Sequence, residues 1–230
     1  MVGANSNLQL FKTADGSDTL FRSDLNQHYH STFGAIQESQ FIFIESGLRQ
    51  VLAAHSNHTL HILEMGFGTG LNAFLTMIEV EKYKIKTDYT TVEAFPLDER
   101  YWKSLNYPGM TGTDDHTPMF TNLHEAKWNE PVELSPHFKL TKIHGPFETY
   151  IPAHGLFNLV YFDAFGPDAQ PELWSENIFL MISMGMSPGG ILVTYSVKGT
   201  VVRALRKAGF LVEKLPGPPG KRHILRAIKS

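Results

Sequence analysis

The sequence predicts an α/β fold in which a mostly parallel β-sheet carries helices on both faces. Two observations support this. From residue 60 onward, short apolar segments alternate with amphipathic ones, and the first apolar segment runs into a glycine-rich turn. Strands that alternate with helices are typical of an open parallel sheet, which binds ligands at the carboxyl ends of its strands. A hairpin and a helix are predicted to precede this unit.

The predicted N-terminal extension covers residues 1–58 and packs on the core. Apolar segments at 8–11 and 19–21 flank an Asp-Gly turn at 14–17, a pattern that favours a β-hairpin. Residues 34–54 are predicted to form one helix, because Ile36, Phe43, Leu48 and Val51 recur at helical spacing.

The predicted main domain covers residues 59–230. The strands are predicted at 61–64, 89–93, 138–144, 157–162, 190–196, 210–215 and 223–228, because these segments are apolar and bounded by turn residues. The helices are predicted at 71–83, after Pro96, at 172–186 and at 199–208, the last of them capped by Gly209. Residues 105–136 are rich in Pro, Gly, Asp and Thr and predict an irregular insertion with one short helix.

Composition excludes several classes of protein. The chain has 230 residues, of which 42% are hydrophobic, and this excludes a disordered protein. It has no Cys, which excludes a disulfide scaffold, a Cys-ligated zinc site and a thiol nucleophile. No signal peptide is recognised at the N-terminus, so we expect a cytoplasmic protein. Residues 177–197 carry no charge, but Ser-Pro-Gly-Gly at 187–190 predicts a turn there and therefore buried core instead of a membrane span.

Charge is distributed unevenly. The net charge of −3 divides into −11 for residues 1–195 and +8 for residues 196–230. A basic segment on an acidic body is typical of a protein with an anionic partner, although a solvated helix face and an exposed last strand would give the same count.

The glycine-rich turn is the strongest functional motif. It reads Glu-Met-Gly-Phe-Gly-Thr-Gly-Leu-Asn at 64–72, between a predicted strand and a predicted helix. A P-loop would end in Gly-Lys-Ser/Thr, and a dinucleotide-binding turn would have a small residue at position 71, where this chain has Leu71. An acidic residue before Gly-x-Gly-x-Gly favours S-adenosylmethionine, with Glu93 at the end of the next strand binding the ribose hydroxyls. A glycine-rich turn without a ligand is the remaining alternative.

Asp163 is the candidate catalytic residue. It follows the apolar strand 157–162 directly, so its carboxylate is expected at the edge of the sheet beside the methyl group of the cofactor. There it could orient an amine and accept its proton, and the alternative is a helix cap or an ion-pair partner. His55, His58 and His61 run from a loop into a strand without a carboxylate or Cys among them, so no metal is expected.

Together these motifs resemble a known family, the methyltransferases that complete 5-methylaminomethyl-uridine at the wobble position of tRNA. The family comprises the MnmC methyltransferase domain and its stand-alone relatives. The resemblance runs in order along nearly the whole chain, at residues 29–31, 37–43, 64–72, 92–97, 162–167, 171–174, 188–190, 202–205, 208–210 and 220–223.

The resemblance implies a Rossmann-like class I S-adenosylmethionine-dependent methyltransferase that N-methylates the 5-aminomethyl group of wobble uridine. The implied partner is the tRNA anticodon stem-loop, with no membrane involved. The implied cofactor-binding residues are Glu64, Gly66, Phe67, Gly68, Gly70, Asn72, Glu93 and Asp163. The implied substrate- or RNA-binding residues are Tyr29, His30, Glu38, Trp174, Arg203, Lys221 and Arg222, of which the last three belong to a basic patch with Lys198, Arg206 and Lys207 that would contact phosphates.

Two departures from the family pattern matter. Many members have Gly-Asp after the strand at 138–144, with the Asp near adenine, whereas this chain has Gly145-Pro146, so the backbone or Glu148 is expected to hold adenine. The flavin-dependent half of the fused enzyme does not fit into 230 residues, so a separate flavin-dependent enzyme is expected to supply the precursor. A methyltransferase for a small-molecule amine and a non-catalytic RNA-binding module remain as alternatives.

Overall fold

The computed structural model describes residues 8–54, 59–112 and 115–230. In the N-terminal extension, three short antiparallel strands form a small sheet: β1 (Leu8–Lys12), β2 (Asp18–Arg22) and β3 (Gln27–His28). The hairpin of β1 and β2 is the predicted one, and β3 adds to its edge through the pairing of Phe21 with His28.

The helix predicted at 34–54 has an irregular centre. It begins as α1 (Ala35–Ser39), continues as a nine-residue π-helix (Gln40–Leu48) and ends as α2 (Arg49–Ala54). The wider π-helical turn lets Gly47 press against the main sheet, where a Cβ would lie 3.0 Å from Val193 Cγ2. Phe43 also packs on Tyr161, with ring centroids 5.1 Å apart. The extension therefore shares its core with the main sheet, and the domain boundary at residue 58, which lies outside the described residues, stays a prediction.

Eight strands form the main sheet of the described chain. They are β4 (Leu60–Met65), β5 (Thr87–Glu93), β6 (Pro131–Ser135), β7 (Phe138–His144), β8 (Phe157–Phe162), β9 (Met186–Thr194), β10 (Phe210–Pro216) and β11 (His223–Lys229), in the spatial order β10-β11-β9-β8-β4-β5-β7-β6. The five central strands are parallel, and β6, β10 and β11 are antiparallel to their neighbours. The chain order reverses between β4 and β8, and ligands bind beside such a point in open α/β sheets.

Helices cover both faces of the sheet, as predicted. On one face the extension helix packs beside α3 (Leu71–Tyr83) and α5 (Thr117–Glu125), and α4 (Glu99–Trp102) completes that layer. On the other face lie α6 (Glu176–Gly185) and α7 (Gly199–Lys207). Short 3₁₀ turns occur at Tyr107–Met110, Phe147–Thr149 and Pro171–Trp174. No helix among the described residues is long and apolar enough to cross a membrane.

Two predicted segments were wrong in detail. The insertion at 105–136 was expected to lack strands, but β6 pairs with β7 at the edge of the sheet. An edge strand tolerates Pro131 and polar residues. These residues are the reason that β6 was not predicted as a strand. The turn expected at 187–190 is part of β9, where Gly189 adopts φ +77° and the pairing with β8 shifts register. The residues that predicted a turn therefore form a bulge within β9, and the chain does not reverse there.

Candidate functional site

The glycine-rich turn connects β4 to α3 at the carboxyl edge of the sheet. Gly66, Gly68 and Gly70 all have positive φ angles, +87°, +49° and +73°, which a side chain would strain. Gly66 also lies against the next loop, since a Cβ there would be 3.3 Å from the main-chain oxygen of Asp163. The turn ends at the N-terminus of the 13-residue helix α3, whose first N–H groups suit an anionic or polar ligand.

Glu93 ends β5 and faces the turn. Its carboxylate accepts hydrogen bonds from the N–H of Gly68 at 3.0 Å and from the N–H of Phe95 at 2.8 Å. Because β4 and β5 are parallel neighbours, the two loops that follow them meet at one edge. Glu93 is therefore held where a ligand of the glycine turn would meet it.

Asp163 follows β8 and faces the same space. Its carboxylate accepts a hydrogen bond from Asn72 Nδ2 at 2.8 Å, and Asn72 is the second residue of α3. Burial raises the pKa of the Asp163 carboxyl well above its usual range, and the nearby Glu38 carboxylate raises it further. The Asn72 hydrogen bond and the Lys221 ammonium act in the opposite direction. A carboxylate with a raised pKa is a better proton acceptor.

Residues of the N-terminal extension form another wall of this site. Two of them, Tyr29 and His30, are among the residues that the family resemblance implied. The ring of Tyr29 packs edge-on against Phe165, with centroids 5.0 Å apart, and contacts the turn at Gly68. His30 Nε2 lies 2.7 Å from the hydroxyl oxygen of Thr69. Burial lowers the pKa of His30 to about 4, so the ring is neutral at pH 7. These contacts connect the extension to the glycine turn.

Glu38 and Lys221 come from opposite ends of the chain and meet in this space. Glu38 lies on α1, and one of its carboxylate oxygens accepts a hydrogen bond from the N–H of Ser31 at 2.7 Å. Lys221 lies in the loop between β10 and β11, and its Nζ is 3.0 Å from Glu38 Oε1. The same Nζ lies 5.0 Å from the centre of the Tyr195 ring. Lys221 therefore points inward, which corrects its expected place beside Arg222 in an outer phosphate-binding patch.

These groups surround one cavity of about 790 Å³. Its volume lies in the range of sites for drug-sized ligands and cofactors. The predicted residues that line it are Tyr29, His30, Glu38, Gly66, Phe67, Gly68, Asn72, Glu93, Asp163 and Lys221. Pro146 and Glu148, in the loop after β7, line it as well.

Five predicted site residues do not line this cavity, and three of them have structural contacts instead. Glu64 is fully buried within β4, and burial raises the pKa of its carboxyl well above the usual range, so it lies beneath the cavity floor. Gly70 packs on α5, where a Cβ would lie 2.7 Å from His124 Nε2. Trp174 is buried against Phe162, and its Nε1 donates a hydrogen bond to the main-chain oxygen of Phe165 at 2.8 Å.

The other two are Arg203 and Arg222, which are exposed outside the cavity. Their proposed contact with RNA stays a prediction. His55 and His58 lie outside the described residues. Within the described parts of the chain, no group of three or more His, Cys, Asp or Glu side chains is placed to hold a metal ion.

Sequence reasoning missed the aromatic side of the cavity. Phe95 and Phe165 line it, and the guanidinium of Arg22 lies 5.3 Å and 5.7 Å from their ring centres. Each Phe follows a strand-end carboxylate by two residues, Glu93 and Asp163 respectively. That shared spacing is a signal that could have indicated them.

Comparison with known proteins identifies the chain's relatives. Residues 123–230 match a family model described as S-adenosyl-L-methionine-dependent methyltransferase. Two similar curated proteins are named "tRNA 5-methylaminomethyl-2-thiouridine biosynthesis bifunctional protein MnmC". The one from Nitrosospira multiformis is 26% identical over 90% of this chain and 35% of its own length, and the one from Magnetococcus marinus is 29% identical over 87% and 31%. The chain thus spans about a third of the length of these relatives.

A solved structure shows the same fold. The crystal structure of MNMC2 from Aquifex aeolicus matches with a TM-score of 0.78 and 24% sequence identity, over 98% of this chain and 71% of that one. The fold is therefore that of a class I methyltransferase, as predicted. The family model that matches residues 123–230 describes proteins that use S-adenosylmethionine as cofactor. The residues present fit this cofactor, because the turn has glycines where a Cβ would strain the backbone, and a strand-end carboxylate faces it across an open cavity. Over residues 123–230 the chain is thus similar to S-adenosyl-L-methionine-dependent methyltransferases.

Proposed function

We propose that this chain methylates the nitrogen of the 5-aminomethyl group of wobble uridine in tRNA, giving 5-methylaminomethyl-uridine. The observation that carries the proposal is the Asp163 carboxyl, which faces the cavity beside the glycine turn and whose pKa is raised by burial. The names of the curated relatives, which refer to tRNA 5-methylaminomethyl-2-thiouridine biosynthesis, support this choice of substrate.

The cofactor would be held by the turn at 66–70, with Asn72 at the start of α3 and Glu93 on the ribose hydroxyls. Pro146 and Glu148 line the cavity where the family pattern has an Asp near adenine, so the backbone at Pro146 or the Glu148 carboxylate would contact the adenine ring. Once bound, S-adenosylmethionine supplies an electrophilic methyl group. The chain's own task is then to position the amine and to keep it neutral.

We assign the second part of that task to Asp163. An alkylammonium must lose a proton before its nitrogen has a lone pair for attack. The Asp163 carboxylate would accept that proton, and its raised pKa makes it a stronger proton acceptor than an ordinary carboxylate. Asn72 holds the carboxylate in place, so the acceptor oxygen has a fixed position.

The RNA backbone would contact the basic residues that are exposed on the surface outside the cavity. Arg203, Arg206, Lys207 and Arg222 are exposed, and they lie on α7 or in the loop before β11. Phosphate contacts by such residues make RNA binding depend on salt concentration. We also propose that the aminomethyl precursor comes from a flavin-dependent activity outside these 230 residues, and that the protein works in the cytoplasm.

Methylation of a defined RNA tests the proposal. The purified chain is incubated with S-adenosylmethionine and an anticodon stem-loop that carries either 5-aminomethyl-uridine or uridine, and the nucleosides are analysed by mass spectrometry. We expect 5-methylaminomethyl-uridine from the first RNA only. Asp163→Asn should reduce kcat by about 10²- to 10⁴-fold, the usual contribution of a general base. Asp168→Asn, at an exposed carboxylate in the same loop, should leave the rate unchanged.

Two results would count against the proposal. An absence of methylated nucleoside would refute the substrate. Equal kcat/KM for the stem-loop and for free 5-aminomethyl-uridine, with no salt-dependent RNA binding, would favour a small-molecule amine instead.

A further inference from the structure

We propose that Glu38 and the ring of Tyr195 form the binding position for the ammonium group of the substrate, and that Lys221 occupies this position until the substrate displaces it. This inference rests on the proposed function, since it assumes an alkylamine substrate. It goes further by assigning a specificity-determining role to one ion pair within the cavity.

The Glu38 carboxylate is fixed and enclosed. Its side chain is only 10% exposed, and its Oε2 accepts a hydrogen bond from the N–H of Ser31 at 2.7 Å. The other oxygen, Oε1, faces Lys221 Nζ at 3.0 Å. A buried carboxylate without a cation is costly, so this position requires a positive charge whether or not substrate is bound.

The Tyr195 ring forms a second side of this cation position. Its centre lies 5.0 Å from Lys221 Nζ, within the range of a cation–π contact. Its hydroxyl donates a hydrogen bond to the main-chain oxygen of Ala164 at 2.8 Å, which fixes the ring. Ala164 is the neighbour of Asp163, so the cation position lies beside the proposed proton acceptor. Among the causes acting on the pKa of Asp163 after burial, Glu38 raises it and Lys221 lowers it, as expected for three charges in one cavity.

The group that Lys221 places there is chemically the group that the substrate would bring. Both are a primary ammonium on a methylene carbon. Lys221 also has the means to leave, because its flexible side chain is 27% exposed and arises from the loop between β10 and β11. Exchange of one ammonium for another keeps the Glu38 charge paired throughout, whereas an uncharged substrate offers nothing that could replace Lys221.

The exchange gives the enzyme a way to recognise its substrate. An RNA with unmodified uridine would leave Lys221 in the cavity, and the base would be kept from the Asp163 side. A ligand that breaks a buried ion pair without replacing it binds much more weakly. Such a site therefore discriminates between ligands more strongly than an apolar pocket does.

Binding of two RNAs tests the role of Glu38. Fluorescence anisotropy compares stem-loops with 5-aminomethyl-uridine and with uridine, on protein loaded with S-adenosylhomocysteine. The wild type should prefer the aminomethyl RNA by about tenfold or more, because only this RNA can displace Lys221 and bring its base into the cavity. Glu38→Gln should lose this preference and raise KM. Glu45→Gln, in the π-helix that continues α1, should retain the preference.

A small amine tests the displacement of Lys221 without any RNA. Calorimetry with benzylamine hydrochloride, against benzyl alcohol as the neutral isostere, uses the same loaded protein. Lys221→Met should bind benzylammonium more tightly than wild type because the internal competitor is gone, and Glu38→Gln should not bind it. Lys214→Met, at an exposed Lys of the same hairpin, should behave as wild type. Melting temperature and S-adenosylmethionine affinity confirm that each variant is folded.

The RNA-binding and benzylamine experiments distinguish a failure of this inference from a failure of the proposed function. Equal RNA preference in wild type and Glu38→Gln, or no benzylammonium binding by Lys221→Met, would overturn the inference even if the wild type methylates the RNA. If the wild type fails to methylate aminomethyl RNA but shows the expected benzylammonium pattern, the tRNA substrate is wrong and the ammonium position stands.

Discussion

The hydrogen bond from Asn72 to Asp163 gives a prediction that can be worked out from the structure. Asn72 is 3% exposed, and its Nδ2 lies 2.8 Å from Asp163 Oδ2. Leu has the same branched shape and cannot donate, so Asn72→Leu removes the bond while it keeps the outline of the side chain. A hydrogen bond to a charged group is worth about 1.5–3 kcal/mol, which corresponds to about one to two pH units.

The direction of the change follows from the state that the bond stabilises. Donation to the carboxylate favours its charged form and lowers the pKa of Asp163, whereas burial raises that pKa. Without the donor, the pKa rises further, and the charged base forms only at higher pH. The acidic limb of the pH–rate profile should therefore move up by about one to two pH units, with most of the maximal rate regained at high pH.

The assay is kcat at saturating stem-loop and cofactor, measured from pH 6 to pH 10, because kcat reports groups in the bound complex. The substrate amine titrates equally in both proteins, so the difference between their profiles belongs to the enzyme. Asn122→Leu, at an exposed position on α5, serves as the matched control. An unshifted acidic limb in Asn72→Leu would refute the proton-accepting role of Asp163.

Two further predictions concern the cofactor and acid stability. Glu93→Ala should weaken S-adenosylmethionine binding by about 10- to 100-fold in calorimetry, as loss of hydrogen bonds to a charged group implies, and unchanged affinity would argue against its role on the ribose. His30 has a pKa of about 4 in the folded chain against an ordinary 6.5, so the unfolded chain takes up its proton first as pH falls. Between pH 6.5 and pH 4 the wild type should therefore lose about 3 kcal/mol more unfolding free energy than His30→Gln, measured by denaturant titration at each pH, and parallel losses would show that His30 is not neutral in the fold.

The sequence predicted well those parts of the site that depend on neighbouring residues. A strand, a glycine turn and a helix follow one another at 60–83, so the positions of Gly66 and Gly68 follow from local pattern. Asp163 and Glu93 were predicted because each ends a strand, and parallel strands place such residues at one edge. Glu64 satisfied the same motif, but it is fully buried within β4 and does not line the cavity.

Long-range contacts explain most of what could not be predicted. Lys221 was assigned to an outer patch by its charge, and nothing in the neighbouring residues shows that the hairpin of β10 and β11 returns to Glu38 on α1. The π-helix at Gln40–Leu48 depends on how closely Gly47 approaches the sheet, which is a tertiary constraint. The same holds for Trp174, which looked like a binding residue and instead supports the Asp163 loop from below.

The position of β11 between β9 and β10 has a consequence for how the chain is made. β11 comes late in the sequence and covers the hydrogen-bonding edge of β9, at Ile191–Thr194, which stays open while a growing chain still lacks it. An open edge of an apolar strand invites pairing with other chains, so a nascent or truncated chain without β11 is the species most prone to aggregate. The loop that leads into β11 carries Lys221 to Glu38, so the same C-terminal hairpin covers the sheet edge and completes the cavity wall.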